Sequence, residues 1–204
     1  TGPDPRPDYY RYIPSYYTDS QITQDYYTYL WKNTKADNPM SQINWDKMWE
    51  VNHLNNLEGD GSAVYMVEER RKDLFELSFN STLNTKISDR VNLTAGVGLK
   101  KSLSKQFKTI DDLLGANHLL DIDKFAERDF PGNTETIQND LENPNRIVQE
   151  GDIFGYDFRF RVNSADIWMQ QEHNYRYLDV YYGAKLKYTG MEREGMMRNG
   201  RYPD

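Results

Sequence analysis

Apolar and polar residues alternate along four segments of the chain, and the first two segments lie close together. In residues 75–87, FELSFNSTLNTKI, the odd positions are mostly apolar and the even positions are all polar. In residues 91–100, VNLTAGVGLK, the odd positions are again apolar. Successive side chains of a strand point to opposite faces, so each segment predicts a strand with one apolar and one polar face. Only Ser88, Asp89 and Arg90 separate the two strands, which predicts an antiparallel hairpin.

A second alternating pair follows about fifty residues later. Residues 156–163, YDFRFRVN, carry apolar side chains at even positions, including Phe160. Residues 178–188, LDVYYGAKLKY, carry Val180 and Leu186 on one face and Lys185 and Lys187 on the other. This pattern predicts a second hairpin over residues 153–189.

The remaining segments lack a sustained period of two and are predicted to be loops with short helices. The predicted helices cover residues 20–33, 41–55, 110–115 and 121–129, and a short extended piece covers 63–69. The chain therefore reads as a loop at 1–61, strands and a hairpin at 62–101, a loop at 102–152, a hairpin at 153–189 and another loop at 190–204.

This order places every long loop at the same end of an antiparallel sheet. Compact soluble domains rarely carry two structureless segments of about fifty residues or more. Outer-membrane barrels do, with short turns at one end and large extracellular loops at the other. The predicted fold class is all-β, with antiparallel up-and-down strands. Four or five strands cannot close a barrel, so we expect the chain to be part of a larger one.

Composition adds an unusual number of aromatic residues to this picture. Of 204 residues, 16 are Tyr and none is Cys, and the formal net charge is −7. The negative charge argues against a nucleic-acid partner, and the lack of Cys excludes disulfides and thiolate metal sites. Tyr suits either a membrane-interface girdle, where Trp168 and Tyr175 are candidates, or a ligand-contacting surface. A tyrosine-rich soluble β-protein remains an equal alternative on composition alone.

Several longer segments of the sequence are similar to those of a known protein family. They are DPRPDYYRYIPSYY (4–17), QINWD (42–46), DDLLG (111–115), DIDKFAERDF (121–130), QNDLENPNR (138–146) and GMMRNGRYP (195–203). These segments resemble the barrel region of TonB-dependent outer-membrane receptors of the Bacteroidetes type. They are spread over nearly the whole chain, and none of them is a catalytic motif.

The resemblance implies part of a 22-stranded transmembrane barrel that imports a scarce small nutrient with energy relayed by the TonB complex. It implies a Gram-negative outer-membrane location with extracellular loops, and contact with lipid, a plug domain, the remaining strands and, in some receptors, a surface lipoprotein lid. The plug and the segment that TonB contacts are not recognisable here, so we expect a fragment. The resemblance implies no enzymatic activity and no cofactor.

The best candidates for ligand contact are the aromatic and basic residues near the start of the chain: Arg6, Tyr9, Tyr10, Arg11, Tyr12, Tyr16 and Tyr17. Tyrosine rings stack on sugars and planar ligands, and Arg binds carboxylates. The alternative is that these rings pack the loops together.

Acidic side chains supply a weak candidate for calcium at Asp121, Asp123, Glu127 and Asp129. Their spacing lacks the ligand order and glycine of an EF-hand, so a solvated acidic helix is the alternative. His53, His118 and His173 lie far apart and predict no metal site. No phosphate-binding loop, dinucleotide motif or nucleophile elbow is present, so an enzyme is not predicted.

The rival to the membrane hypothesis is a soluble secreted β-domain that binds glycan through its tyrosine-rich loops. The two differ in what covers the apolar strand faces. A lipid-facing sheet predicts one continuous exposed belt that includes Phe79, Leu83, Val97, Phe160, Val180 and Leu186. A soluble domain requires a second layer over them.

Overall fold

The computed structural model describes residues 4, 6, 9–33 and 43–203, and two compact units divide them. The first unit takes the described residues up to Glu69 together with Thr109–Ile137 and Asn145–Asp152. The second takes Arg70–Lys108, Gln138–Pro144 and the described residues from Ile153 onward.

Four long strands form a single sheet. They are β1 (Val67–Ser88), β2 (Val91–Asp112), β5 (Ile153–Asn174) and β6 (Asp179–Gly195), in the order β1-β2-β5-β6. The two-residue strands β3 (Leu119–Leu120) and β4 (Ile147–Val148) pair antiparallel in the first unit. The fold is therefore mostly antiparallel β-sheet with up-and-down connectivity, as the alternation predicts. Within the described residues, β1 and β6 are the edges of the sheet.

Both predicted hairpins are present, and their strands are longer than predicted. The alternating segments 75–87 and 91–100 lie inside β1 and β2, and segments 156–163 and 178–188 fall largely within β5 and β6. β2 continues to Asp112 and β6 to Gly195, which turns the start of each expected loop into strand. β2 is central in the sheet, so neighbours on both sides satisfy its backbone where the alternation fades.

Three α-helices match predicted segments: α1 (Gln21–Lys32), α2 (Trp45–Glu58) and α3 (Lys124–Asp129). Each begins at a capping side chain: Ser20 accepts from the Thr23 amide, Asn44 from the Lys47 amide and Asp123 from the Phe125 and Ala126 amides. Such caps satisfy amides that have no partner within the helix. Residues 41 and 42 of the second predicted helix lie outside the described residues. None of the helices in the described ranges has the length and hydropathy needed to cross a bilayer.

The helix predicted at residues 110–115 is wrong. Ile110 to Asp112 complete β2, and the chain then turns through Leu114 and Gly115, whose φ angles are 49° and 79°. A Cβ on Gly115 would lie 2.5 Å from a ring carbon of Trp49, so this position requires glycine for both its backbone and the close approach of the indole. The glycine that predicted a helix end serves a turn after a strand.

The buried core of the described chain lies mainly in the first unit, where Asn52 joins three segments. Asn52 is fully buried, and its amide nitrogen donates to the carbonyl oxygens of Tyr65, Leu113 and Leu114 at 2.8–3.2 Å. Its side-chain oxygen accepts from the amides of Val64 and Tyr65 at 2.9 and 3.1 Å. One side chain on α2 thereby fixes the chain before β1 and the turn after β2.

The second unit has little core of its own. Among the described residues, the only buried large hydrophobic side chains of this unit are Phe107 and Phe154. Arg71 lies 5.2 Å from the ring centroid of Phe107, and the Lys108 ammonium lies 4.4 Å from that of Phe154. The apolar side chains of the long strands are therefore mostly exposed.

Candidate functional site

Two glycines of β2 show which strand residues share a face. A Cβ built on Gly96 would lie 2.6 Å from the indole of Trp168, and one on Gly98 would lie 2.7 Å from the Asp166 carboxylate and 3.2 Å from the Asn80 amide oxygen. Gly96, Gly98, Trp168, Asp166 and Asn80 therefore lie on one face. The alternate residues of the same strands lie on the other face.

Next to the two short turns, that second face is apolar and exposed. In β5 and β6 the pairs that lie on it are Ala165–Tyr188, Ile167–Leu186, Met169–Ala184, Gln171–Tyr182 and His173–Val180. Val97 of β2 and Leu83 and Phe79 of β1 lie on the same face by alternation. We call this surface the apolar face.

The side chains of the apolar face are open to the surroundings. The exposed fraction is 59 % for Leu83, 40 % for Val97, 58 % for Ile167 and 74 % for Leu186. In the part of the chain that the structure describes, no second layer buries these residues. A large contiguous apolar patch is unusual on a water-soluble protein and marks contact with a protein or a membrane.

The opposite face, which we call the polar face, carries charged and amide side chains. Lys185 and Asp166 form an ion pair at 3.0 Å, and the Asn92 amide donates to Glu172 at 3.5 Å. Gly96 leaves room for Trp168, so this indole lies on the polar face. Trp168 therefore lies on the face opposite to the apolar side chains, which is not the face that a lipid-facing girdle requires. Tyr175 lies in the turn between β5 and β6 and is exposed.

The predicted belt is wrong at one of its six residues. Phe160 pairs with Arg193, and pairing continues without a break to Ile167–Leu186 and His173–Val180. An even residue of β5 cannot share a face with Ile167 when no extra residue interrupts the strand. Phe160 therefore lies on the polar face, opposite to Val180 and Leu186. The signal was present in the sequence, because Phe154, Tyr156, Phe158, Phe160 and Val162 are at even positions, whereas Ala165, Ile167 and Met169 are at odd ones.

The predicted ligand-contacting tyrosines form one cluster in the first unit. Ring centroids of successive contacts lie 4.6–5.5 Å apart, for Tyr9–Tyr10, Tyr9–Tyr12, Tyr10–Tyr16 and Tyr16–Tyr17. Tyr17 also stacks on Tyr27 of α1, with centroids 4.8 Å apart and planes 5° from parallel. Tyr27 is a member that the sequence did not predict, because its ring arrives through the packing of the helix.

Hydrogen bonds tie this cluster to the backbone. The Tyr12 hydroxyl donates to the Asp4 carbonyl, the Tyr17 hydroxyl to the Arg11 carbonyl and the Trp31 indole to the Tyr12 carbonyl. Of the two predicted arginines, Arg11 donates to the Tyr10 hydroxyl at 3.0 Å, and Arg6 forms an ion pair with Asp4. The rings pack the segment together, and Tyr10 and Tyr16 remain about half exposed. The geometry thus includes both packing and an accessible aromatic surface.

Electrostatics within the cluster separate two neighbouring phenols. The hydrogen bond with Tyr10 raises the pKa of Tyr9, and the hydrogen bonds with Tyr9 and Arg11 lower the pKa of Tyr10. Tyr10 is thus the hydroxyl of this pair that ionises first on alkalinisation.

The four carboxylates of the calcium candidate bind protein groups separately: three form ion pairs and one caps a helix. Asp121 is buried and accepts from Arg146 at 2.5 Å, and Asp123 caps α3. Glu127 pairs with Lys124, and Asp129 with Arg128. Within the described residues, no three metal-ligating side chains converge on a point.

The hydroxyl of Tyr182 lies 3.2 Å from Nε2 of His173 on the apolar face.

Comparison with known proteins finds no family model and no curated protein that matches this chain.

Proposed function

We propose that this chain is part of the β-barrel of an outer-membrane receptor that imports a scarce nutrient with TonB-derived energy. The observation that carries the proposal is the exposed apolar face of a sheet whose other face is polar. Hydrocarbon on one side and a water-filled lumen on the other are the two media that suit such a sheet.

The connectivity of the sheet supports the same proposal. Short turns join β1 to β2 and β5 to β6, whereas residues 113–152 join β2 to β5. Short turns at one end and long loops at the other are typical of outer-membrane barrels. The two edges, β1 and β6, are where further strands of a 22-stranded barrel would pair.

The resemblance described above supports the receptor family. In that proposal the partners are outer-membrane lipid, the plug domain, the TonB complex, the remaining strands and, where present, a surface lipoprotein lid. The tyrosine cluster with Arg6 and Arg11 supplies ligand contact on the extracellular side. In this proposal the chain serves transport and has no catalytic role.

Uptake in cells tests this function. We expect a strain that lacks the intact gene to lose accumulation of one radiolabelled compound from a panel of ferric citrate, maltoheptaose, cyanocobalamin and a dipeptide. A strain without TonB should show the same loss, because the energy source is shared. Recovery of the protein in the soluble secreted fraction, with binding to a glycan array, would favour the rival soluble glycan-binding domain instead.

A further inference from the structure

The apolar face changes its chemistry halfway along β5. From Ala165 to Met169 its residues are Ala, Ile and Met, but Asn163, Arg161 and Arg159 occupy the same face on the other side of that point. We call residues 164–174 of β5, with the residues paired to them, the turn half of the sheet. Residues 153–163 and their partners form the loop half.

The neighbouring strands change at the same level. On β6, Tyr188 pairs with Ala165, and the next residues on this face are Gly190, Glu192 and Glu194. Arg161 and Glu194 form an ion pair at 2.7 Å on this face. On β2, the contact of Gly98 with Asp166 sets Leu99 level with Ala165, and beyond it lysines alternate with apolar residues on this face: Lys101, Leu103, Lys105 and Phe107.

On β1 the apolar row of this face runs somewhat further, to Phe75, before Asp73 and Arg71 follow. Barrel strands tilt by about 35–45°, so a horizontal boundary crosses successive strands at shifted residues. β1 shows such a shift, whereas on β6, β5 and β2 the change falls at laterally adjacent residues.

Along β5, the polar face changes in the opposite sense at the same level. In the turn half β5 carries Asp166, Gln170 and Glu172 beside Trp168 on this face, but in the loop half it carries Tyr156, Phe158, Phe160 and Val162. Phe158 and Phe160 have ring centroids 5.5 Å apart, and Arg193 lies 4.9 Å from the ring of Phe158. On β5 the two faces therefore exchange character while pairing with β6 stays in register, whereas on β2 the polar face remains polar.

The length of the apolar row matches a bilayer. From Val180 to Tyr188 of β6, where every residue on this face is Val, Tyr, Ala or Leu, the strand advances roughly 27 Å at about 3.4 Å per residue. At a tilt of about 40° this is roughly 20 Å along the membrane normal, close to the apolar band of about 25 Å in outer-membrane barrels. Tyr188, paired with Ala165, lies at the rim of this row, where aromatic girdles occur.

We infer that the hydrocarbon of the bilayer covers only the turn half, and that its outer boundary crosses the sheet at Asn163, Gly190 and Lys101. Beyond that level the strands project into water. The pair Arg161–Glu194 is solvated there, and the aromatic side chains of Tyr156, Phe158 and Phe160 face the lumen of the barrel. The inference rests on the proposed function and adds where the membrane ends. Charged pairs in hydrocarbon are costly, whereas in water they are tolerated at the strand surface.

Nitroxide labels on single cysteines test the boundary, and this chain itself contributes no Cys to the background. The variants are Leu186→Cys, Lys187→Cys and Glu192→Cys, made in the intact receptor with any Cys outside this chain replaced by Ser, and reconstituted in phosphatidylcholine vesicles. Leu186 and Glu192 share a face, and Lys187 is the control on the opposite face. The measurement is the ratio of collision rates with oxygen, which partitions into lipid, and with a water-soluble nickel chelate.

We expect a several-fold higher oxygen-to-nickel ratio at position 186 than at positions 187 and 192. A high ratio at both 186 and 192 would overturn the boundary but leave the membrane proposal standing. Equally low ratios at all three positions would overturn the boundary and the proposed function together. If Leu186→Cys does not insert, Ile167→Cys replaces it, because Ile167 pairs directly with Leu186.

Discussion

A charge placed on the apolar face should distinguish a lipid environment from water. Ile167 lies near the middle of the apolar row, paired with Leu186 and flanked along its own face by Ala165 and Met169. Its side chain is 58 % exposed, so a lysine meets no steric obstacle in the sheet. The cost of Ile167→Lys therefore depends on the surrounding medium.

The two media predict different magnitudes for this substitution. A lysine at the lipid face of a barrel costs about 2–4 kcal/mol near the bilayer midplane. At about 1.4 kcal/mol per decade, this lowers the folding equilibrium constant roughly 30- to 700-fold. A substitution at an exposed position in water changes stability by about 0.5 kcal/mol or less.

Guanidinium unfolding in phosphatidylcholine vesicles measures the difference. Gln170→Lys is the matched control, because Gln170 lies on the polar face of the same strand and pairs with Gly183. We expect the control to stay within about 0.5 kcal/mol of the wild type. A free energy of unfolding for Ile167→Lys equal to that of the control would refute lipid contact at this face.

Three further changes test the first unit and its turns. Asn52→Ala removes the five hydrogen bonds of a fully buried side chain, two of them buried and three partly buried, and at about 1 kcal/mol each with partial relaxation we expect a loss of about 3 kcal/mol in a denaturant titration. Gly115→Ala should cost at least about 1 kcal/mol by the same measurement, because the φ angle of 79° disfavours any side chain and the Cβ meets an indole. The Ser62 amide and the Asn55 side chain lower the pKa of Asp60, so its contribution to stability is present above the usual value of 3.8 and is lost as the pH falls through the folded value. Asp60→Asn should flatten that acid limb of the stability profile, and an unchanged profile would contradict the assignment.

The long strands were predictable because apolar and polar residues alternate with a period of two within short segments of the sequence. Residues 75–87 and 91–100 alternate cleanly, so the hairpin and its short turn follow without tertiary information. The continuation of β2 to Asp112 was not predictable, because Lys101 and Lys105 at odd positions and Ile110 at an even position break the alternation there. Pairing with β1 and β5 on both sides extends the strand despite its composition.

Two predictions are wrong for different physical reasons: the helix at residues 110–115 and the face assigned to Phe160. Gly115 occupies a left-handed conformation that serves a helix end or a turn equally well, and the contacts with Asn52 and Trp49 select the turn. Phe160 was predicted from alternation within one short segment. Its relation to Val180 and Leu186 needed the continuous register between β5 and β6.

The tyrosine cluster was predictable as a group of residues but not as a geometry. Residues 9–17 hold five tyrosines in the sequence, and the structure joins their rings edge to face. The stacked partner Tyr27 comes from α1, whose amphipathic pattern gives no hint of a ring contact. Long-range packing of this kind is outside what a local pattern specifies.

The alternation of environments along β1 is the most direct test of the account. Single cysteines at residues 77–80, together with 82 and 83, are labelled with a small fluorophore in vesicles that contain brominated acyl chains. We expect quenching at Leu77, Phe79 and Leu83 and little at Ser78, Asn80 and Thr82, since bromine reaches only the apolar face. Uniform protection from bromine at all six positions, or quenching without a period of two, would contradict a sheet with lipid on one side and water on the other.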